Sequence, residues 1–305
     1  MKIFTNESQR LKVLVLSDLH IFSEKDIKNV EKLMESLKNN KYDAIYLVGD
    51  ILDATNILYC WNGKITGRLL ELMAFLGHVA PTYIVCGSHD QAYRTIFKRN
   101  PWMEDEETLQ AEFLDKISGY HNINVLENET RVLKEGTGYT ISGFSPSLSY
   151  AMNTPDGNEE ILLKEKSKYE FLKKLNPNNT NTLLCHYPQA IMSLFNAGGG
   201  VKNVNLSIAG HNHNGCTQFK FIPVEFVLNL FRQNNRGLIT PGKSIKLKDT
   251  KDLRGIKELD NDSLLLINPA FKTFAACTGA LEKIDWMFYK GFSEVEYVPE
   301  EKLTR

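Results

Sequence analysis

Four apolar runs in this chain stop on an aspartate or a histidine. Val13-Leu14-Val15-Leu16-Ser17 leads into Asp18-Leu19-His20, and Tyr46-Leu47-Val48-Gly49 into Asp50-Ile51-Leu52-Asp53. Tyr83-Ile84-Val85-Cys86-Gly87 leads into Ser88-His89-Asp90, and Leu206-Ser207-Ile208-Ala209-Gly210 into His211-Asn212-His213. A short continuous apolar run is the pattern of a strand covered on both faces. A polar side chain just past its last residue stands on the carboxyl rim of the sheet, where α/β proteins collect their ligand sites. Four such ends commit the chain to an α/β fold with an ionisable rim.

The intervening segments supply the crossovers. Ser23 with Asp26 three residues on has the form of a capping box. Ile27, Val30, Leu33, Met34 and Leu37 then share one helical face that Asn39-Asn40 ends. With strand 44–48 this makes strand–helix–strand, a right-handed crossover. Residues 58–76 are helical in pattern, interrupted by Gly63 and Gly67, and 103–119 open on the acidic run Glu104-Asp105-Glu106-Glu107, which suits a helix N-terminus. Short strand-like pieces at 124–126, 131–133 and 139–144 suggest an antiparallel portion. A helix is expected near 160–175, a strand over 182–185 closing on His186, and a short helix over 188–196. Residues 219–231 are unusually apolar and suit a core helix or a surface flap, whereas 243–262 have the charge of a surface excursion. Closing strands are expected over 263–267, 271–277 and 295–298. Because the candidate ligands span residues 18 to 213, one domain over 1–305 is more economical than two, with a cap or flap excursion around 216–262.

Composition narrows the function classes. A hydrophobic share of 42% suits a full core, and 36 basic against 37 acidic residues leave no positive field for a stable nucleic-acid partner. The five cysteines (Cys60, Cys86, Cys185, Cys216 and Cys277) are odd in number and never form a C-x-x-C pair, which fits a reducing compartment. No apolar h-region opens the chain and no run approaches the roughly 18 apolar residues of a spanning helix. The expected location is the cytoplasm.

Of seven histidines, His20, His89, His186, His211 and His213 stand at strand ends. Imidazole with carboxylate and without thiolate suits Mn, Fe or Zn better than Ca or Mg. A carboxylate can bridge two ions about 3.5–4 Å apart, the arrangement of two-metal hydrolases, which lowers the pKa of bound water towards ~7.

Asp18-Leu19-His20, Gly49-Asp50-Ile51-Leu52-Asp53, Gly87-Ser88-His89-Asp90, His186 and Gly210-His211-Asn212-His213, in that order, resemble the five motif blocks of calcineurin-like metallophosphoesterases. The resemblance covers residues 13–213. It implies two facing mixed β-sheets flanked by helices, a four-layer sandwich with two divalent metal ions (Mn, Fe or Zn) at one end. It assigns Asp18, His20 and His213 to the first metal and His186, His211 and Ser88 to the second, with Asp50 bridging both. His89 would serve the leaving group and Asp53 would orient His89. The implied reaction is in-line attack of a metal-bridging hydroxide on a phosphoester.

Two departures bear on activity. Ser88 stands where the family has asparagine, so the second metal exchanges an amide oxygen for a hydroxyl. Ala54-Thr55 stands where protein phosphatases of the family carry Arg-Gly, which disfavours a phosphoprotein substrate. The region after Gly210 is loosely similar to the branch of envelope-linked phosphoesterases and diacylglucosamine pyrophosphatases. The expected substrate is a small-molecule or lipid-linked phosphodiester or pyrophosphate, with peripheral membrane contact through 219–231. The alternatives are a phosphomonoesterase of the same fold and a catalytically weak or inactive phosphoester-binding protein.

Overall fold

The computed structural model describes residues 1–21, 23–52, 63–90, 116–146, 166–196, 201–211, 255–259, 263–269, 271 and 291–299. Strands β2 (Leu11–Leu16) and β3 (Ala44–Val48) are buried on both faces because one face meets helices and the other meets a second sheet. The first sheet runs β1 (Lys2–Thr5), β12 (Ser293–Pro299), β2, β3, β4 (Thr82–Val85), β5 (Ile123–Val125). The second runs β10 (Gly255–Glu258), β11 (Leu264–Ile267), β9 (Leu206–Ala209), β8 (Thr180–Leu184), β7 (Tyr139–Gly143), β6 (Glu129–Val132). Each sheet is parallel at its centre and carries antiparallel pairing towards an edge, so both are mixed.

Side-chain alternation sorts the core into three layers. Val13, Val15, Tyr46, Val48 and Val85 of the first sheet meet Tyr139, Ile141, Leu184, Leu206, Ile208 and Leu266 of the second between the sheets. The opposite parity, Leu14, Leu16, Ile45, Leu47 and Ile84, packs under helices α1 (Glu24–Ser36) and α2 (Gly63–Val79). On the far side Leu183, Cys185, Ala209, Leu265 and Ile267 pack under α3 (Lys166–Tyr169), its 3₁₀ continuation Glu170–Lys174, and α4 (Pro188–Asn196). The result is the four-layer sandwich expected from the sequence. Removing a buried Leu or Ile from any of these layers costs about 2–5 kcal/mol.

The expected capping box at α1 is present. Ser23 Oγ accepts from Asp26 N (3.3 Å) and Ser23 N donates to Asp26 Oδ2 (3.1 Å), contributing about 1 kcal/mol. The middle of the chain differs from expectation. Of its described strands only β6 and β7 pair antiparallel with each other; β5 belongs to the other sheet and lies parallel to β4. Runs of three or four residues carry no signal of partner or direction, which tertiary packing decides. Residues 255–258, expected as part of a surface excursion, form the exposed edge strand β10. Strand β1, hidden in a polar opening segment, pairs with β12. No described helix is long and apolar enough to cross a membrane. The expected flap at 219–231 lies outside the described residues.

Glu294 on β12 pins the first sheet to the loop before β3. Its Oε1 accepts from Tyr42 OH (2.5 Å) and pairs with Lys12 Nζ (3.0 Å). The Tyr42 hydroxyl, with Lys12 beside it, lowers the Glu294 carboxyl below its usual range. A depressed folded-state pKa stabilises above the unfolded value near 4.5, and the contribution is lost as pH falls through the folded value. Glu294→Gln should therefore lower the thermal midpoint at pH 7, with the deficit closing below about pH 4. A deficit of equal size at both pH values would contradict this role.

Candidate metal centre

At the carboxyl rim the backbone leaves each strand through the left-handed region. Asp18 (φ 54°), His20 (φ 42°), Asp50 (φ 51°) and His211 (φ 63°) all adopt it; among the described residues the other non-glycine ones that do so are asparagines. Such residues cost on the order of 1–3 kcal/mol each and persist only where their surroundings over-determine them. Here they do. Asp18 N donates to Gly49 O (3.0 Å), His20 N to Asp50 O (2.9 Å), His211 N to Asp18 Oδ1 (3.1 Å) and His89 N to Asp50 Oδ1 (2.8 Å). Each strand end is thus tied to another.

Glycines make room for this interlock. A Cβ on Gly87 would lie 2.2 Å from Asp50 Oδ1, and one on Gly210 would lie 2.7 Å from Asp18 Oδ2. A Cβ on Gly49, itself at φ +78°, would lie 2.4 Å from His186 Nδ1. The glycine of each block is the space that a charged side chain of another block fills.

Asp50 is the centre of the resulting cluster. Its Oδ2 lies 3.1 Å from His186 Nε2 and 3.9 Å from His20 Nε2. Two triads converge on it, His20–Asp50–His89 and Asp50–His186–His211, and the candidate ligand atoms within each lie within 4.8 Å of one another. The rings of His20 and His89 meet edge to face at 4.6 Å between centroids, and those of His186 and His211 at 5.1 Å. Burial works against charge on Asp50, but the imidazoles of His186, His89 and His20 prevail and hold its carboxyl well below the usual range. Burial likewise pulls His186 down, yet the Asp50 charge and hydrogen bond, aided by Asp18, raise it to about 9.

The tautomer of His186 shows what the cluster is built for. Its Nδ1 faces Val48 O at 2.8 Å, and a carbonyl only accepts, so Nδ1 carries a proton. In neutral imidazole the fully buried Nε2 then presents a lone pair towards a carboxylate oxygen. That contact is tolerable only with a second proton or a cation between them, and the arrangement fits a metal ligand whose other nitrogen is fixed by a carbonyl.

Ser88 Oγ donates to Asp50 at 3.3 Å (Oδ1) and 3.2 Å (Oδ2). Asp18 is fully buried and close enough for its charge to act on His186. His89, expected beside the leaving group, also falls within ligand distance of His20 and Asp50. Asp53 and His213 lie outside the described residues. Asp90 received no role from the sequence, and the structure gives it one. Its carboxylate accepts from Ile51 N (Oδ1, 3.1 Å), Leu52 N (Oδ1, 3.0 Å) and Gly87 N (Oδ2, 2.8 Å), clipping the loop after Asp50 to the loop carrying His89. Its signal was adjacency alone, an acidic residue following a strand-end histidine. Burial, with the Asp50 charge adding to it, raises the Asp90 carboxyl against these N–H bonds. Asp90→Asn exchanges one acceptor oxygen for a donor facing backbone N–H groups. It should cost about 2 kcal/mol in denaturant unfolding and weaken Mn²⁺ binding about 10-fold. Wild-type values of both would contradict the clip.

Residues 11–215 match the family model of calcineurin-like phosphoesterases. A Caenorhabditis elegans protein assigned by name as a metallophosphoesterase is 25% identical over 232 residues, 76% of this chain and 42% of its own length. The chain therefore spans less than half of that relative. Among solved structures, a dimetal phosphatase from Danio rerio superposes with a TM-score of 0.44 at 11% identity, covering 85% of this chain and 87% of its own. A phosphopantetheinyl hydrolase from Mycobacterium tuberculosis does so with a TM-score of 0.41 at 14% identity, covering 69% and 86%. The family match takes in more than half of the chain and all four aspartate- or histidine-bearing strand ends, and the chain belongs to the calcineurin-like phosphoesterase family.

Proposed function

We propose that this chain is a two-cation phosphoester hydrolase whose substrate is a phosphodiester or a pyrophosphate. The observation that supports it most is the position of Asp50, one carboxylate within ligand reach of two histidine groups. In this reading Asp18, His20 and His213 would hold one cation, His186, His211 and Ser88 would hold the other, and Asp50 would serve both. When bound, the two divalent ions, Mn, Fe or Zn, supply Lewis acidity, neutralising phosphoryl oxygens and lowering the pKa of water towards ~7.

The chain's own residues provide the rest. His89 delivers a proton to the departing oxygen from its imidazole, and Asp53 orients that ring. Ser88 donates to Asp50 and keeps the shared carboxylate in register. Buried walls around Asp18, Asp50 and His186 keep bulk water from screening these charges. A diester or pyrophosphate is favoured over a monoester because the motif blocks contain no arginine or lysine to anchor a dianion. The reading takes 1–305 as one domain acting on a small or lipid-linked substrate in the cytoplasm, where the free thiols of Cys86 and Cys185 would persist.

A second reading of one residue has an observation behind it: the closeness of His89 to His20 and Asp50 suits a metal ligand. A single variant separates the two roles. With Mn²⁺, the protein should cleave an aryl phosphodiester faster than the matched monoester. His89→Asn should lower that rate about 10²–10⁴-fold with both ions retained. Loss of one ion would make His89 a ligand, and a metal-replete wild type inert on diesters, monoesters and pyrophosphates would overturn the hydrolase reading.

A further inference from the structure

Asn268 lies beyond the segment that carries the family match, immediately after β11, yet it is fully buried at the same rim. Its backbone N–H donates to Ala209 O (2.8 Å), extending the β11–β9 ladder to the residue before Gly210. Its side-chain Nδ2 crosses to the other sheet and donates to Ser17 Oγ (3.0 Å). The same Nδ2 donates to Pro269 O (3.0 Å), an acceptor only, which fixes the amide orientation. Three residues later Phe271 N donates to Ser17 O (3.0 Å). Asn268 and Phe271 therefore grip the hydroxyl and the carbonyl of Ser17.

Ser17 is the residue before Asp18, whose left-handed backbone must be held by its neighbours. Asp18 Oδ1 in turn accepts from His211 N, and Ser17 Cβ would lie 2.9 Å from a Cβ on Gly210. Asn268 touches both partners of this junction, Ser17 from the first sheet and Ala209 from the second. Its Oδ1 is buried with no hydrogen-bond partner among the described residues, a cost that an apolar side chain of similar volume would avoid. Fold stability alone gives no reason for an amide here; the donor to Ser17 does.

We propose that Asn268 is a positioning residue of the metal centre, setting the backbone from which Asp18 reaches its cation. The inference rests on the two-cation reading above. It also makes the C-terminal strands, and not only the motif blocks, part of the site.

The test is Mn²⁺ binding to the metal-free full chain, followed by calorimetry and by loss of the free-ion EPR signal, alongside the thermal midpoint without metal. Asn268→Ala, and Asn268→Asp as the variant closer in shape, should weaken one of the two bound ions about 10-fold and leave the other within about twofold. Ser17→Ala should weaken the same ion, and the Ser17→Ala/Asn268→Ala pair should be no worse than Asn268→Ala alone, because both remove one contact. Variants that lower only the thermal midpoint, with both affinities unchanged, would reduce Asn268 to a structural residue and overturn the proposal. A wild-type chain that binds no Mn²⁺ would instead overturn the underlying two-cation reading, and this inference with it.

Discussion

A single carboxylate, Asp50, organises this molecule's rim. It is 2% exposed, it faces imidazoles from both sheets, and its charge is stabilised only because they are there. A buried carboxylate without such partners would cost several kcal/mol. The sandwich can carry it because two parallel sheet centres end at the same level. β2, β3 and β4 deliver His20, Asp50 and His89 from one side, and β8 and β9 deliver His186 and His211 from the other.

The same convergence is costly to the backbone, and the costs and supports are local. Four charged or ionisable residues in left-handed geometry are held by cross-strand N–H bonds, three glycines yield the volume, and Asp90 fastens two of the loops together. Extra stability elsewhere comes from ordinary burial in the three apolar layers. Strain at the rim and surplus in the layers is the division expected where function is placed on a rigid scaffold.

Much of this was legible in the sequence because strand ends announce themselves. An uninterrupted apolar run that stops on a histidine or aspartate, with or without a glycine between, specifies strand, rim and candidate ligand together, so Asp18, Asp50, His89, His186 and His211 could be named as candidates from the chain alone. The capping box at Ser23 and the short helix at 188–196 were equally readable, since their signals are local. What escaped was non-local. The membership of β5 in the first sheet depends on which neighbour it packs against, and three residues do not encode that. Strand β1 forms only because β12, almost three hundred residues away, offers an edge. Asp90 and Asn268 are a carboxylate and an amide among many, distinguished only by the backbone groups and the hydroxyl that folding brings to them.

In the proposed function both cations share Asp50. Titrating the metal-free protein with Mn²⁺ and recording low-temperature EPR tests it directly. Two ions per chain with spin-coupled spectra, and loss of that coupled pair in Asp50→Asn, are the result this account requires. Two magnetically independent ions that both survive Asp50→Asn would contradict it.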